Sequence, residues 1–173
     1  MKKILIAALS ANGKIAVEGG SSSLDWTSKE DTQYFIQRTK EAKNVIMGRK
    51  TFETINKPLK DRTVYVLTGN QELLEKQLPD VVFTNKSPET LIKNLEEKGE
   101  KECCIVGGKS IYEQFLNLNL VDELHLTVEP IIFKSGTNLA DRLEKDLQLE
   151  LINIEKLNAS TILLKYKILK MGM

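Results

Sequence analysis

The sequence predicts an α/β fold built on a mostly parallel sheet with an antiparallel C-terminal edge. Three observations carry that expectation. Short apolar runs rich in β-branched residues alternate with capped or amphipathic helical segments as far as about residue 120. Two of those runs end in glycine just before a helix start, at Gly48 and at Gly107-Gly108. Beyond them the pattern turns to strands alone, and the last two read as an antiparallel pair.

Taken in order, Lys2 to Leu9 reads as a mostly buried first strand. Ser10-Ala11-Asn12-Gly13 is a turn, because Asn-Gly favours positive φ. Ile15 to Val17 is a brief extended piece. The polar stretch Glu18 to Ser23 reads as a mobile loop, closed by Leu24-Asp25-Trp26. Thr27 and Glu30 have the spacing of a capping box and open a helix to about Lys43, with Phe35, Ile36 and Ala42 on it. Val45 to Met47 is a buried strand, and Phe52 to Asn56 a short helix closed by Lys57-Pro58. Thr63 to Leu67 is a strand, Gln71 to Gln77 a short helix, and Asp80 to Phe83 a strand. Ser87 caps a helix with Pro88 at its first position, reaching about Glu97. Cys103 to Val106 is a strand, Lys109 to Leu116 a helix and Val121 to Ile132 a long strand. Lys134 to Asn138 is a loop. Leu147 to Lys156 and Thr161 to Leu169 form the antiparallel pair, joined near Asn158-Ala159-Ser160. Lys170 to Met173 is expected to fray.

The 173 residues suit one domain with a real core. With 25 basic and 24 acidic residues there is no electrostatic footprint for nucleic acid. No apolar run approaches the roughly 18 residues of a membrane span. The start, MKKILIAALS, imitates a signal peptide, but its apolar run is too short, and a first strand is expected instead. Cys103 and Cys104 are adjacent, so on a strand they face opposite ways and neither pair nor chelate. With a single histidine, a metal site is not expected. The expected setting is cytoplasmic and reducing.

The chemistry concentrates in Asn44 to Arg62, NVIMGRKTFETINKPLKDR. A strand, a glycine and then a helix start bearing Arg49, Lys50 and Thr51 is the layout of an anion site. Free N–H groups of a first helical turn point outward and the helix dipole favours negative charge there. An ordinary strand-to-helix turn with solvated cations has the same pattern, so the stretch alone leaves both readings open. In an open parallel sheet, both glycine turns would lie at the carboxyl ends of strands, where such folds bind ligands. A G-x-G-x-x-G fingerprint is absent. Asp31 and Phe35, four apart, share a helix face beside Trp26. A carboxylate there can grip an amidine-like ring edge through two parallel hydrogen bonds. An aspartate in a first helical turn is also favoured by the dipole alone.

Together these pieces resemble a dihydrofolate reductase over nearly the whole chain. The resembling set is Ile6-Ala7-Ala8-Leu9, Trp26 with Asp31 and Phe35, Val45-Ile-Met-Gly-Arg-Lys-Thr-Phe-Glu53, Pro58-Leu59 with Arg62, Val106-Gly-Gly108 with Ile111-Tyr112, and Leu126-Thr127. The resemblance implies a three-layer dihydrofolate reductase-like fold over residues 1–173, with helices on both faces of the sheet. It implies NADPH-dependent reduction of dihydrofolate by hydride transfer to C6, with the proton at N5 coming from water. Asp31, Trp26 and Thr127 would be the catalytic set, with Asp31 and Thr127 on the pterin's 2-amino and N3 edge. Ile6, Ala8, Phe35, Ile55 and Leu59 would line the pterin and aminobenzoyl site. Arg62 would pair with the α-carboxylate of the glutamate tail. For the cofactor, Gly48, Arg49, Lys50 and Thr51 would face Val106, Gly107, Gly108, Lys109, Ser110 and Ile111 across the pyrophosphate, with Arg49 and Lys50 towards the 2′-phosphate. Thr68 would add a hydroxyl, Ala8, Ile15, Ala16 and Asn12 would lie near the nicotinamide, and Tyr112 would stack close by. A cis peptide between the paired glycines, a lid at Gly19 to Ser23 and a monomer are also implied.

Three positions depart from the family pattern: Lys29 for a proline after Trp26, Ala16 for a glycine, and Lys109 for a third glycine. Ser10 to Ala16 and Trp26 to Asp31 also resemble riboflavin-pathway reductases of the same fold, which take NADPH and a ribosylaminopyrimidine phosphate. Phe52-Glu53, Pro58-Leu59 and Arg62 favour folate. A nucleotide-binding module without turnover is the third alternative. His125 is expected to be a satisfied strand histidine on the face of Thr127, and Glu129 to face solvent.

Overall fold

The chain orders its strands so that two βα turns open onto one crevice. The computed structural model describes residues 1–19, 22–55 and 58–169. Gly20 and Ser21 of the expected lid, Asn56 and Lys57 at the expected end of the second helix, and the tail from Lys170 lie outside them. The main sheet has eight strands in the order β5-β4-β3-β6-β1-β7-β10-β9. These are β1 (Lys2–Ser10), β3 (Asn44–Gly48), β4 (Thr63–Leu67), β5 (Val81–Thr84), β6 (Glu102–Ile105), β7 (Glu123–Glu129), β9 (Gln148–Lys156) and β10 (Ile162–Leu169). The first six run parallel, β10 pairs antiparallel with β7, and β9 pairs antiparallel with β10. The remaining strands, β2 (Lys14–Val17) and β8 (Gly136–Asn138), form a separate two-stranded ribbon. The helices are α1 (Lys29–Ala42), α2 (Arg49–Ile55), α3 (Gln71–Leu74), α4 (Pro88–Glu97) and α5 (Lys109–Asn117).

Helices cover both faces, as expected. Leu91, Ile92 and Leu95 of α4 and Ile111, Phe115 and Leu116 of α5 pack with Leu5, Ile105, Leu124 and Leu126 on one side. Ala42 of α1 and Phe52 of α2 pack with Ile4, Ile6, Val45, Met47, Val64 and Val66 on the other. The two cysteines fall one on each side, and burial pushes both thiols up, Cys104 to about 12.

Several local expectations are corrected. The cap of α1 is Ser28, whose Oγ accepts the Asp31 N–H at 3.2 Å, not the Thr27–Glu30 pair. The structured part of Gln71 to Gln77 is the single turn α3, capped by Asn70. β7 covers only Glu123–Glu129 of the long strand expected from Val121 to Ile132. The expected loop Lys134 to Asn138 contains β8, which pairs with β2. α2 begins at Arg49, immediately after Gly48, so the two cations stand in its first turn.

β3 feeds α2 on one face and β6 feeds α5 on the other. Between their carboxyl ends the chain therefore leaves a gap, the switch point at which open α/β sheets bind ligands.

Candidate active site

The two glycine turns meet across that gap. Gly48 donates its N–H to the Gly107 carbonyl at 2.7 Å, and the Gly107–Gly108 peptide is cis. Close approach crowds a side chain at both glycines. A Cβ on Gly48 would stand 3.0 Å from Ile111 Cγ1, and one on Gly107 would stand 3.0 Å from the Tyr112 hydroxyl. Gly107 also holds φ at +111°, a conformation side chains rarely adopt. Gly107→Ala is expected to cost about 1–3 kcal/mol and to appear as a lower denaturation midpoint; an unchanged midpoint would show that the turn tolerates a side chain.

From this junction a cleft of about 960 Å³ runs along the ends of β3, β4 and β5 and the start of α5. Gly48, Arg49, Lys50, Thr51, Thr68, Gly108, Lys109, Ser110 and Ile111 all line it. Arg49 is paired with Glu53 at 2.7 Å, and Lys109 with Asp141. Lys50 makes no ion pair among the described residues. Sequence reasoning missed the far wall, Thr84 to Pro88, and also Thr137 and Arg142. Asn85-Lys86-Ser87 is a third strand-to-helix turn at the same sheet edge, but it lacks the glycine that marked the other two. A cleft with glycine turns and cations at two helix starts fits a phosphorylated nucleotide cofactor.

Val106 and Gly107 lie behind this wall, and Tyr112 is buried there with its hydroxyl donating to the Ile6 carbonyl at 2.8 Å. Ala16, Val17, Lys50, Thr51, Thr54, Ser135 and Thr137 line a second cleft of about 690 Å³ beside the β2–β8 ribbon. Ile15 packs against the α4–α5 side of the core. Asn12 is engaged elsewhere, bonding both the N–H and the carbonyl of Phe133. Phe133 in turn meets Trp26 edge to face at 5.1 Å. The Trp26 Nε1 is a buried donor with no partner among the described residues.

Asp31 and Thr127 stand side by side. Thr127 is 1 % exposed, and its hydroxyl faces the Asp31 carboxylate. Burial is the main cause holding the Asp31 carboxyl above the usual range; the Glu129 charge adds to it, and hydrogen bonds from Thr127 and Thr27 oppose it. Ile6 and Leu59 are buried in one cluster, with Phe35 and Ile55 packed against it. Ala8 is half-buried at the end of β1, in register with Thr127.

Arg62 is 7 % exposed. Its Nε donates to the Lys60 carbonyl at 2.9 Å and one terminal nitrogen to Thr39 Oγ1 at 2.8 Å. No carboxylate among the described residues lies within ion-pair distance of it, and its neighbour Asp61 binds Lys40 instead. Burial holds this guanidinium below its ordinary value.

His125 is satisfied at both ring nitrogens, by Tyr34 at 2.6 Å and Glu123 at 3.0 Å, and burial holds its pKa low. Glu129 overturns the expectation of a solvent-facing residue. It is 2 % exposed, because α1 and the β9–β10 turn close over that face of β7.

Comparison with known proteins supports the family that the sequence resembles. The family model described as dihydrofolate reductase matches residues 3–148. A putative dihydrofolate reductase of Caenorhabditis elegans is 34% identical, over 91% of this chain and 82% of that protein. The dihydrofolate reductase of Mycoplasma genitalium is 29% identical, over 91% and 94%. The crystal structure of a putative riboflavin biosynthesis protein from Shewanella sp. PV-4 superposes with a TM-score of 0.82 at 23% identity, covering 98% of this chain and all of that one, which shows the shared fold. A reductase of this α/β class is what fold and kinship define together. The chain belongs to the dihydrofolate reductase family. No described helix is long and apolar enough to cross a membrane.

Proposed function

We propose that the protein reduces dihydrofolate to tetrahydrofolate with NADPH. The observation that carries this reading is Arg62, a buried guanidinium oriented by two neutral oxygens, with no carboxylate among the described residues within ion-pair distance. Burying a cation without an anion is costly, and a carboxylate is the ligand its planar fork matches. The glutamate tail of a folate carries one; a ribosylaminopyrimidine phosphate does not. Ile6, Ala8, Phe35, Ile55 and Leu59 offer the apolar walls for the two rings.

In this reading NADPH supplies the hydride that reaches C6 of the pterin. Asp31 accepts hydrogen bonds from the 2-amino and N3 edge, and Thr127 orients its carboxylate. The proton at N5 comes from water, and the open donor of Trp26 would hold such a water or a ligand oxygen. Gly48 to Thr51 and Gly107 to Ile111 would hold the pyrophosphate, Lys50 with Arg49 the 2′-phosphate, Thr68 the ribose side, and Ile15 and Ala16 the nicotinamide side. Tyr112 and Val106 would form the floor behind it. Holding two rings face to face and excluding water is the protein's contribution.

A second reading, a riboflavin-pathway pyrimidine reductase, is favoured by the second cleft, whose Lys50, Thr51, Thr54, Ser135 and Thr137 suit a sugar phosphate. One assay separates the two. Purified protein is expected to oxidise NADPH with dihydrofolate and not with the ribosylaminopyrimidine phosphate; the opposite outcome would replace the first reading by the second.

A further inference from the structure

Glu129 is a buried carboxylate that the proposed chemistry does not use. It closes β7 on the face that carries His125 and Thr127. Its Oε1 accepts the Ser28 N–H at 2.7 Å, and its Oε2 accepts the Thr161 hydroxyl at 2.8 Å. No cation among the described residues is within ion-pair distance of it. Ser28 is the cap of α1, and its own hydroxyl accepts the Asp31 N–H. Asp31 is therefore tied to β7 through Ser28 at Glu129, with Thr127 of the same strand facing its carboxylate.

We propose that Glu129 is a positioning residue for Asp31, fixing the first turn of α1 through the Ser28 cap and presenting a second carboxylate to Asp31. Neutral partners would suffice for the structural part. A glutamine could accept from Ser28 and donate to the Thr161 oxygen, with none of the cost of a buried charge. What only a carboxylate supplies is a second negative charge facing Asp31. The groups facing Asp31 are Thr27, Thr127 and Glu129, with the Tyr112 phenol behind. Glu30, its neighbour on α1, is turned to Asn158. None of these is a cation; the Glu129 charge adds to burial in raising the Asp31 carboxyl, against the hydroxyls of Thr127 and Thr27. The effect is to keep Asp31 able to hold a proton nearer to working pH than a solvated aspartate can.

The inference rests on the reading of Asp31 as the ring-gripping group, but its test needs no substrate. The Asp31 carboxyl carbon is titrated by NMR in the ligand-free protein. Glu129→Gln is expected to lower the Asp31 midpoint, with the amide pattern of α1 retained. An unmoved midpoint overturns the proposal. Should Glu129→Gln fail to fold, Thr161→Val carries the test: it removes one of the two partners that hold Glu129 in place, and an unmoved Asp31 midpoint overturns the proposal equally. Failure of the dihydrofolate assay with a positive titration would remove the folate reading and leave the pairing intact.

Discussion

Replacing Asp31 by asparagine is expected to lower turnover by about 10²–10⁴-fold while making the protein more stable. The loss follows from the two hydrogen bonds that an ionised carboxylate gives the ring edge, each worth about 1.5–3 kcal/mol when charged. Asparagine presents one acceptor and an N–H₂ group that meets the ring's donors unfavourably. The gain in stability follows from the raised pKa. The unfolded chain ionises Asp31 at the ordinary carboxylate value, and the folded chain at a higher one. Between those two values the folded state holds the proton and the unfolded state does not. Stability therefore falls as pH rises through that window, and the whole penalty remains above it. Asparagine keeps a partner for the Thr127 hydroxyl and removes the desolvated charge. A rise of roughly 2–4 °C in melting temperature is the expected scale for a domain of this size, with a flatter stability profile across the acid window. Intact turnover would reduce Asp31 to a residue placed by the helix dipole. A lower melting temperature would mean that its burial is already compensated.

Much of this site was legible because periodicity and turn chemistry are local. Val45 to Met47 ahead of Gly48, and Pro88 after Ser87, announce strand, turn and helix within a few residues. Asp31 and Phe35 share a helix face by spacing alone. What escaped the sequence depends on partners distant in the chain. Glu129 alternates with Leu126 and Val128 as a solvent-facing strand residue would; it is buried because Ser28 and Thr161, 101 and 32 positions away, close over it. The wall at Asn85 to Ser87 was missed because nothing in its composition marks it, and only the order β5-β4-β3-β6 brings it to the cleft. The turn composition of Gly136-Thr137-Asn138 hides the strand β8. It is extended because Gly136 lets its backbone pass within contact of the Ala16 carbonyl, where an added Cβ would stand 2.2 Å from that oxygen.

Arg62→Ala is expected to raise KM for dihydrofolate by about 10²–10³-fold while a pterin lacking the glutamate tail is reduced at nearly the wild-type rate. Truncating one partner of a buried, hydrogen-bonded charge pair costs about 2–5 kcal/mol, and only the tailed substrate brings the other partner. The geometry adds a second consequence that a surface arginine would not have. Thr39 Oγ1 and the Lys60 carbonyl both lose a donor, and Thr39 is fully buried. Unsatisfied buried acceptors cost about 1–3 kcal/mol each, reduced here because the Thr39 hydroxyl donates to the Phe35 carbonyl at 2.6 Å and keeps that bond. A modest fall in melting temperature should therefore accompany the loss of substrate affinity. Arg62→Lys separates the two effects. Lysine restores a point charge but cannot donate at once to Thr39, to Lys60 and to a carboxylate in a plane. It is expected to recover part of the stability and little of the selectivity for the tailed substrate. The decisive quantity is the ratio of KM values for the tailed and tailless pterins in each variant. A ratio unchanged from wild type would remove Arg62 from the substrate site, leaving it as the residue that ties α1 to the turn before β4.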